Sequence, residues 1–260
     1  MTPPPSHQAS ASLRGLKERD TALRELMDDP DCDPERLRAT LRRFDTVNRL
    51  VSGWGGVYTR RIRPFLAGLG RPARVLDLGC GGGDVVVRLA RMAARDGMAV
   101  DWVGADPDPR AIEVAAARDA PGTVRFTRAD STALLAAGER FDVVVSNHVL
   151  HHLDSAALAS FAADSRALSS GLLLHGDIAR SRLAYSLYAI GITPLQHGTF
   201  LRTDGLRSIR RSHTPAELQR LLDAEAPGLW HVGAPAPFRL LAESRAGFRT
   251  RDRYEGDFDA

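Results

Sequence analysis

The run Val75-Leu76-Asp77-Leu78-Gly79-Cys80-Gly81-Gly82-Gly83-Asp84 constrains this chain more than any other stretch. A short apolar segment ends in an acid, passes through a glycine-dense turn and enters the apolar-periodic segment 85–94. The pattern predicts a buried parallel strand, a tight loop and the N-terminus of a helix. Glycines let backbone approach a ligand where a Cβ would clash. The loop is therefore expected to hold a nucleotide-like cofactor.

From residue 71 onward, strands and helices alternate. Strands are expected at 74–78, 100–105, 123–127, 141–146 and 171–174, with helices at 84–95, 109–118, 131–136 and 155–168. This order predicts an α/β fold, a Rossmann-like doubly wound and mostly parallel sheet that binds ligands at the carboxyl ends of its strands. Thr214-Pro215-Ala216-Glu217 is a capping box opening a helix to about residue 224. Segments 230–234 and 238–242, separated by Pro235-Ala236-Pro237, read as a closing antiparallel pair. After the fifth strand an insertion at about 178–211 gathers Tyr185, Tyr188, Ile190, Ile192, Leu195, His197 and Phe200.

Ahead of this domain (71–243), residues 1–12 are rich in Pro, Ser and Ala and are expected to be disordered. Leucines at 13, 16, 23 and 26 among charges predict an amphipathic helix over 12–27. Asp33-Pro34-Glu35 reads as an N-cap with proline at the first helical position, opening a helix to about 48. Gly53 to Gly56 break it, and a third helix is expected over 57–69, ending at Gly70. Residues 13–70 thus form an Arg-rich helical cap, and 244–260 a loose tail.

The charge balance, 35 Lys and Arg against 32 Asp and Glu, is only +3. Lys17 is the only lysine, and the arginines are interleaved with acids, so no nucleic-acid face is expected. No apolar run approaches the roughly 20 residues needed to span a bilayer, and the N-terminus lacks a signal core. Cys32 and Cys80 show no metal or redox spacing. A cytoplasmic protein with no metal is expected.

A nicotinamide loop reads G-x-G-x-x-G, its third glycine allowing helix and strand to pack closely. Here Asp84 stands at that third place, and Asp77 precedes Gly79 by two residues. A carboxylate repels a pyrophosphate and attracts an ammonium. The loop therefore suits a cofactor that is cationic at its reactive end, and S-adenosyl-L-methionine fits. Asp106 ends the second strand, where it can accept from ribose hydroxyls. Asp130 with Ser131 follows the third strand, where the carboxylate can accept from an adenine amino group. The polar end of the fourth strand, Ser146 to His148, is expected to face the methionine portion.

The four motifs VLDLGCGGGD, GAD, RADS and FDVVVSNHVLHHL, in this order and spacing, resemble class I S-adenosylmethionine-dependent methyltransferases over residues 71–175, and the closing strands extend the likeness to about 243. The last motif resembles the branch of ubiquinone- and menaquinone-biosynthesis and small-molecule O-methyltransferases. The resemblance implies that Asp77, Gly79, Gly81 and Gly83 shape the methionine pocket, that Asp106 holds the ribose and that Pro107 is an apolar wall beneath the adenine. It likewise implies Asp130 and Ser131 at the adenine, and Asn147 and His148 near the methyl donor. Structural alternatives stand beside these roles: Asp77 could cap a helix, Asp106 could serve a turn, and Cys80 could simply be small.

Methyl transfer from a sulfonium is one in-line displacement, so positioning and water exclusion carry most of the acceleration. The expected reaction is O-methylation of a phenolic, quinol-like or polyketide-type acceptor, an aromatic or lipid-like small molecule of secondary metabolism, leaving S-adenosyl-L-homocysteine. A histidine near neutral pKa suits deprotonation of such a hydroxyl. His148, His151, His152, His175, His197 and His213 are candidates. His151 is favoured as the base, with a structural role for it as the alternative. Asp177 could orient that base, receive the acceptor hydroxyl or cap a helix. The insertion reads as a lid, with Tyr185, Tyr188 and His197 at the acceptor. Arg49 or Tyr58, beside the Gly53–Gly56 break, could reach the cofactor carboxylate. The Arg-rich N-terminal helices could rest on an anionic membrane. C-methylation of a quinone precursor, cofactor binding without turnover and, more distantly, a Rossmann oxidoreductase remain open alternatives, as does the oligomeric state.

Overall fold

A computed structural model describes residues 16–245, so the expected tail at 1–12 and all of the expected tail at 244–260 but its first two residues lie outside the described residues. Asp33 accepts from the backbone N–H groups of Glu35 and Arg36 and starts α1 (Pro34–Val51), with proline at its first position. Gly53, at φ +75°, turns the chain into α2 (Trp54–Val57). This runs through a π-helical turn (Tyr58–Ile62) into α3 (Arg63–Gly68).

The alternating part follows as β1 (Ala73–Leu78), α4 (Asp84–Arg95), β2 (Val100–Asp106), α5 (Pro109–Ala116), β3 (Val124–Arg128), α6 (Ser131–Ala136) and β4 (Phe141–Asn147). A 3₁₀ turn (Leu150–His152) leads to α7 (Ser155–Leu168) and β5 (Ser169–Ile178). Next come α8 (Arg182–Gly191), α9 (Leu201–Arg211), α10 (Pro215–Glu225), β6 (His231–Gly233) and β7 (Arg239–Arg245). Among the described residues, seven strands form one sheet in the order β3-β2-β1-β4-β5-β7-β6. The first five pair in parallel and β7 is antiparallel to both β5 and β6. The order reverses between β1 and β4. This is the topological switch point where such sheets bind ligands.

Parallel strands buried on both faces need continuous apolar sequence. β1 and β4 supply it, with Val75, Leu76, Val143, Val144 and Val145 fully buried. On one face Trp54, Tyr58, Ile62 and the apolar side of α4 pack against the sheet. On the other, Leu158, Ala162, Leu218 and Leu222 of α7 and α10 close over β5 and β7. The expected capping box at Thr214 and Glu217 is fully formed.

Two expectations need correction. Residues 16–33 form turns rather than a helix. Their backbone and side-chain groups are spent on partners far away in sequence. The Arg19 guanidinium donates to the carbonyls of Arg211, His151 and Leu153, and Asp204 accepts from the N–H groups of Leu26 and Met27. Tertiary hydrogen bonds of this kind override a weak helical preference. The domain also runs further than expected, because Ser244 and Arg245 belong to β7 and pair with β5.

Candidate active site

The β1–α4 loop leaves the carboxyl edge of the sheet. Gly79, Gly81 and Gly83 all have positive φ, at +76°, +52° and +76°. A Cβ on Gly79 would lie 2.6 Å from Val149, and one on Gly83 would lie 2.7 Å from Phe126. A Cβ on Gly81 would meet nothing within 4 Å, so this glycine opens onto space. The Gly81 N–H donates to Asp106 Oδ2 at 2.9 Å, which ties the loop to the end of β2.

Beneath the loop, Asp77 is buried and neither carboxylate oxygen has a hydrogen-bond partner. The Val86 N–H faces it from outside hydrogen-bonding geometry. Burial first, then the like charges of Asp84 and Asp106, hold its pKa well above the ordinary value. A buried acceptor without a donor is costly unless a ligand completes it. An ammonium would do so, and the open space at Gly81 suits a cofactor's close approach to main chain.

Asp77, Gly79 to Gly82, Asp106, Pro107, Asn147 and His148 line one cavity of about 860 Å³. The cavity continues into an apolar chamber walled by Phe44 and Val47 of α1, by Leu187 and Ile192, and by Leu201 and Ile209 of α9. The cap and the insertion are bonded to each other as well. The Arg36 guanidinium donates to Thr199 O, and the Phe200 N–H donates to Thr40 Oγ1.

At the polar end of this chamber sits His151, 1% exposed. Its Nδ1–H donates to Asp177 Oδ1 at 2.7 Å and its backbone N–H to Asp177 Oδ2 at 2.8 Å. Its Nε2–H donates to Glu25 Oε1 at 3.1 Å. Burial disfavours the charge, but the two carboxylates outweigh it and push the pKa up to about 10. Glu25 is correspondingly lowered to about 2: burial raises it, and His151 more than offsets that. His148 differs. It sits at φ +63°, its Nε2 accepts from the Arg239 guanidinium at 2.9 Å, and burial with Arg239 keeps it neutral. A non-glycine residue in this backbone region stores strain of about 1–3 kcal/mol, and such strain clusters at functional sites.

Residues 75–171 match a family model described as a methyltransferase domain. A ubiquinone biosynthesis O-methyltransferase from Azorhizobium caulinodans is 37% identical over 213 residues, covering 74% of this chain and 77% of the relative. The chain is a class I S-adenosylmethionine-dependent methyltransferase. Among solved structures, the plantazolicin methyltransferase BpumL in complex with a monoazolic analogue and S-adenosylhomocysteine has the same fold. Its TM-score is 0.62 at 14% identity, over 93% of this chain and 98% of that one. Human N-acetylserotonin methyltransferase in complex with S-adenosylmethionine also scores 0.62 at 14% identity, over 94% and 68%.

In this methyltransferase the cavity includes Asp77, Gly79, Gly81, Asp106, Pro107, Asn147, His148, His151 and Tyr188. It leaves out several expected residues. Gly83 packs against Phe126 and Ala115 behind the loop, so its absent side chain serves strand–helix packing. Asp130 caps α6 by accepting from the Ala133 N–H, and Ser131 donates to Asp164; neither lines the cavity. Arg49 is exposed and paired with Asp45. Tyr58 is buried in the core and donates to Asp96, away from any cofactor carboxylate. Tyr185 and His197 do not reach the cavity, and the exposed His197 instead offers its carbonyl to Arg43. Asp177 lies behind His151 and orients it rather than facing an acceptor. His175 and Ser146 bond to each other, with the His175 ring against Phe161 and Trp230, off the cavity.

The setting of His151, expected as a neutral base, is a carboxylate beside each ring nitrogen, and these two outweigh burial and raise its pKa to about 10, which favours the imidazolium at neutral pH. Glu25, Ser208 and Arg239, which complete this end of the chamber, were not singled out by sequence reading. Glu25 sits among leucines in a segment with helical periodicity, and no local pattern marks it as part of the site.

Proposed function

We propose that this methyltransferase O-methylates a small acceptor with an apolar body and one reactive oxygen, phenolic, quinol-like or polyketide-type. The observation that carries the reading is one cavity joining the glycine loop and unpartnered Asp77 to an apolar chamber whose polar end is built around His151. When bound, S-adenosylmethionine supplies an electrophilic methyl carbon on a sulfonium. Asp77 would hold its ammonium, Asp106 its ribose hydroxyls, and Gly81 its close approach to main chain. Pro107 would bound the adenine side.

The chain's own work is then positioning. Phe44, Val47, Leu201 and Ile209 remove the acceptor body from water, which favours binding by about 25 cal/mol per Å² of apolar surface buried. The His151 imidazolium, aimed by Asp177, is placed to donate to the acceptor oxygen. Burial, with Arg239, keeps His148 neutral, and the guanidinium fixes its ring beside it. Held in near-attack geometry, such a reaction gains roughly 7–11 kcal/mol from proximity alone.

Exposed Leu183, Leu187 and Ile190 on α8, and Leu50 and Val51 ending α1, form an apolar rim to which three cavity residues belong. This favours entry of an apolar acceptor there, and contact with a membrane through this rim rather than through the arginines of α1. Arg38 and Arg49 there are paired with acids, and Arg36 and Arg43 with lid carbonyls. Among the described residues no helix is long and apolar enough to cross a bilayer.

The test is product mass and NMR from a panel of alkylated phenols, quinols and hydroxypyrones supplied with the cofactor. An O-methyl product with matching S-adenosylhomocysteine is expected. A C-methyl product would move the reading to ring methylation, and cofactor binding with no product would support a non-catalytic role.

A further inference from the structure

The polar end of the chamber is an arrangement of hydrogen-bond donors around one anionic oxygen. Glu25 Oε1 accepts from Ser208 Oγ at 2.6 Å and from His151 Nε2 at 3.1 Å, with His152 Nε2 at 3.8 Å. All four residues line the cavity. The oxygen belongs to the N-terminal segment, which folds in from outside the sheet and is pinned there by Arg19 on one side of Glu25 and Asp204 on the other.

His151 cannot take a proton from a hydroxyl in this arrangement. Asp177 accepts from Nδ1–H and from the backbone N–H, and the Glu25 carboxylate beside Nε2 holds the second ring proton there, so Nε2 donates while Glu25 is seated. Glu25 is no better as a base, because its own pKa is depressed to about 2. Other charged and titratable groups face this end. Arg19 comes from the N-terminal segment, Arg211 and His213 from the end of α9, Arg239 from β7, and His148 and His152 from the same turn. Asp28 bonds His152 Nδ1 at 3.2 Å. Donors matched to an oxygen that already carries charge are the recurrent device for stabilising oxyanions in water-poor sites.

We propose that this end of the chamber is an oxyanion site that admits an acceptor already ionised, its oxygen taking the place Glu25 Oε1 holds on His151 and Ser208. The acceptor class is therefore an acid: a carboxylate, or an enol conjugated to a carbonyl. The inference rests on the O-methyl transfer reading and narrows it. The acid's proton leaves to water before binding. An oxygen lone pair then forms the O–C bond while the C–S bond breaks toward sulfur, and the protein handles no proton. Glu25 is the internal stand-in that keeps the buried imidazolium neutralised between turnovers.

The experiment compares three acceptors carrying the same alkyl chain: a 4-hydroxy-2-pyrone, a benzoate and a resorcinol, the last ionising near pH 10 as phenols do. Binding to the full-length protein with S-adenosylhomocysteine is measured by calorimetry, and turnover by product mass. At pH 7 at least one acid should bind and react 100-fold or more better than the resorcinol. Formation of a methyl ether from the pyrone or a methyl ester from the benzoate separates the two sources. Its kcat/KM should be flat from pH 7 to 9, because acceptor and His151 both keep their charge across that range. Glu25→Gln should tighten the acid tenfold or more relative to the resorcinol, a selective effect a structural role would not produce. Resorcinol turnover equal to the acids at pH 7, or an acid rate climbing tenfold per pH unit, would overturn the oxyanion site. Either wild-type result does so whether or not the variant folds. Failure of the functional reading looks different: no methylated product from any acceptor and no S-adenosylhomocysteine formed.

Discussion

Replacing Asp77 by Asn should move the stability of the free protein and its cofactor affinity in opposite directions. In the free protein the carboxylate is 1% exposed, has no hydrogen-bond partner and faces Asp84 and Asp106. Its pKa is raised, so the folded chain keeps a proton that the unfolded chain loses above about pH 4. The contribution to stability is thus intact below that pH and is lost as pH rises through the folded value. Asn has the same shape and no charge. Removing the cost of holding this unsatisfied carboxyl protonated in the fold should add about 1–3 kcal/mol at neutral pH, which in a chain of this size is about 2–12 °C in Tm at roughly 2–4 °C per kcal/mol. The cofactor ammonium, however, loses a charge-assisted hydrogen bond of about 1.5–3 kcal/mol, or about 10- to 150-fold in Kd. Differential scanning fluorimetry of the free variant and calorimetry with S-adenosylhomocysteine read both quantities. A variant that melts lower than wild type, or binds the cofactor within threefold of it, would refute the assignment of Asp77 as the ammonium's partner.

Two further outcomes follow from the same geometry. Gly81→Ala should cost about 1 kcal/mol of stability from its positive φ and weaken S-adenosylhomocysteine strongly, whereas Gly83→Ala, clashing with Phe126, should cost more stability than cofactor affinity; thermal melts with calorimetry check the contrast, and the reverse pattern would exchange the two roles. Stability should also follow the Glu25–His151–Asp177 cluster: the imidazolium's share is full below about pH 6.5 and lost as pH rises through about 10, while that of Glu25 is present above about 4.5 and lost as pH falls through about 2. Tm should therefore fall from pH 7 to 10, less steeply in Glu25→Gln, and equal slopes would remove the ion pair from the account.

The glycine-loop stretch fixed much of what followed. β1, the loop and α4 are local: an apolar run, glycines at positive φ and an N-terminal turn follow from neighbouring residues, so the place of Asp77 and Gly81 on the cavity was legible. The alternation of strands and helices carried the sheet order for the same reason, since right-handed crossovers leave few topologies to choose among. Asp130, Ser131, Arg49 and Tyr58 lie off the cavity, each with a local or core partner that sequence does not show: Ala133 N–H, Asp164, Asp45 and Asp96.

What only the tertiary structure decided is the state of His151. Its sequence neighbours describe a histidine on a turn, able to be a base, a ligand or a structural contact. Its proton is set by Asp177, 26 residues away on β5, and by Glu25, 126 residues away on a segment whose helical periodicity gives way to long-range hydrogen bonds. Electrostatics in a buried site depends on distance through space and on exclusion of water, and neither quantity is written in local sequence.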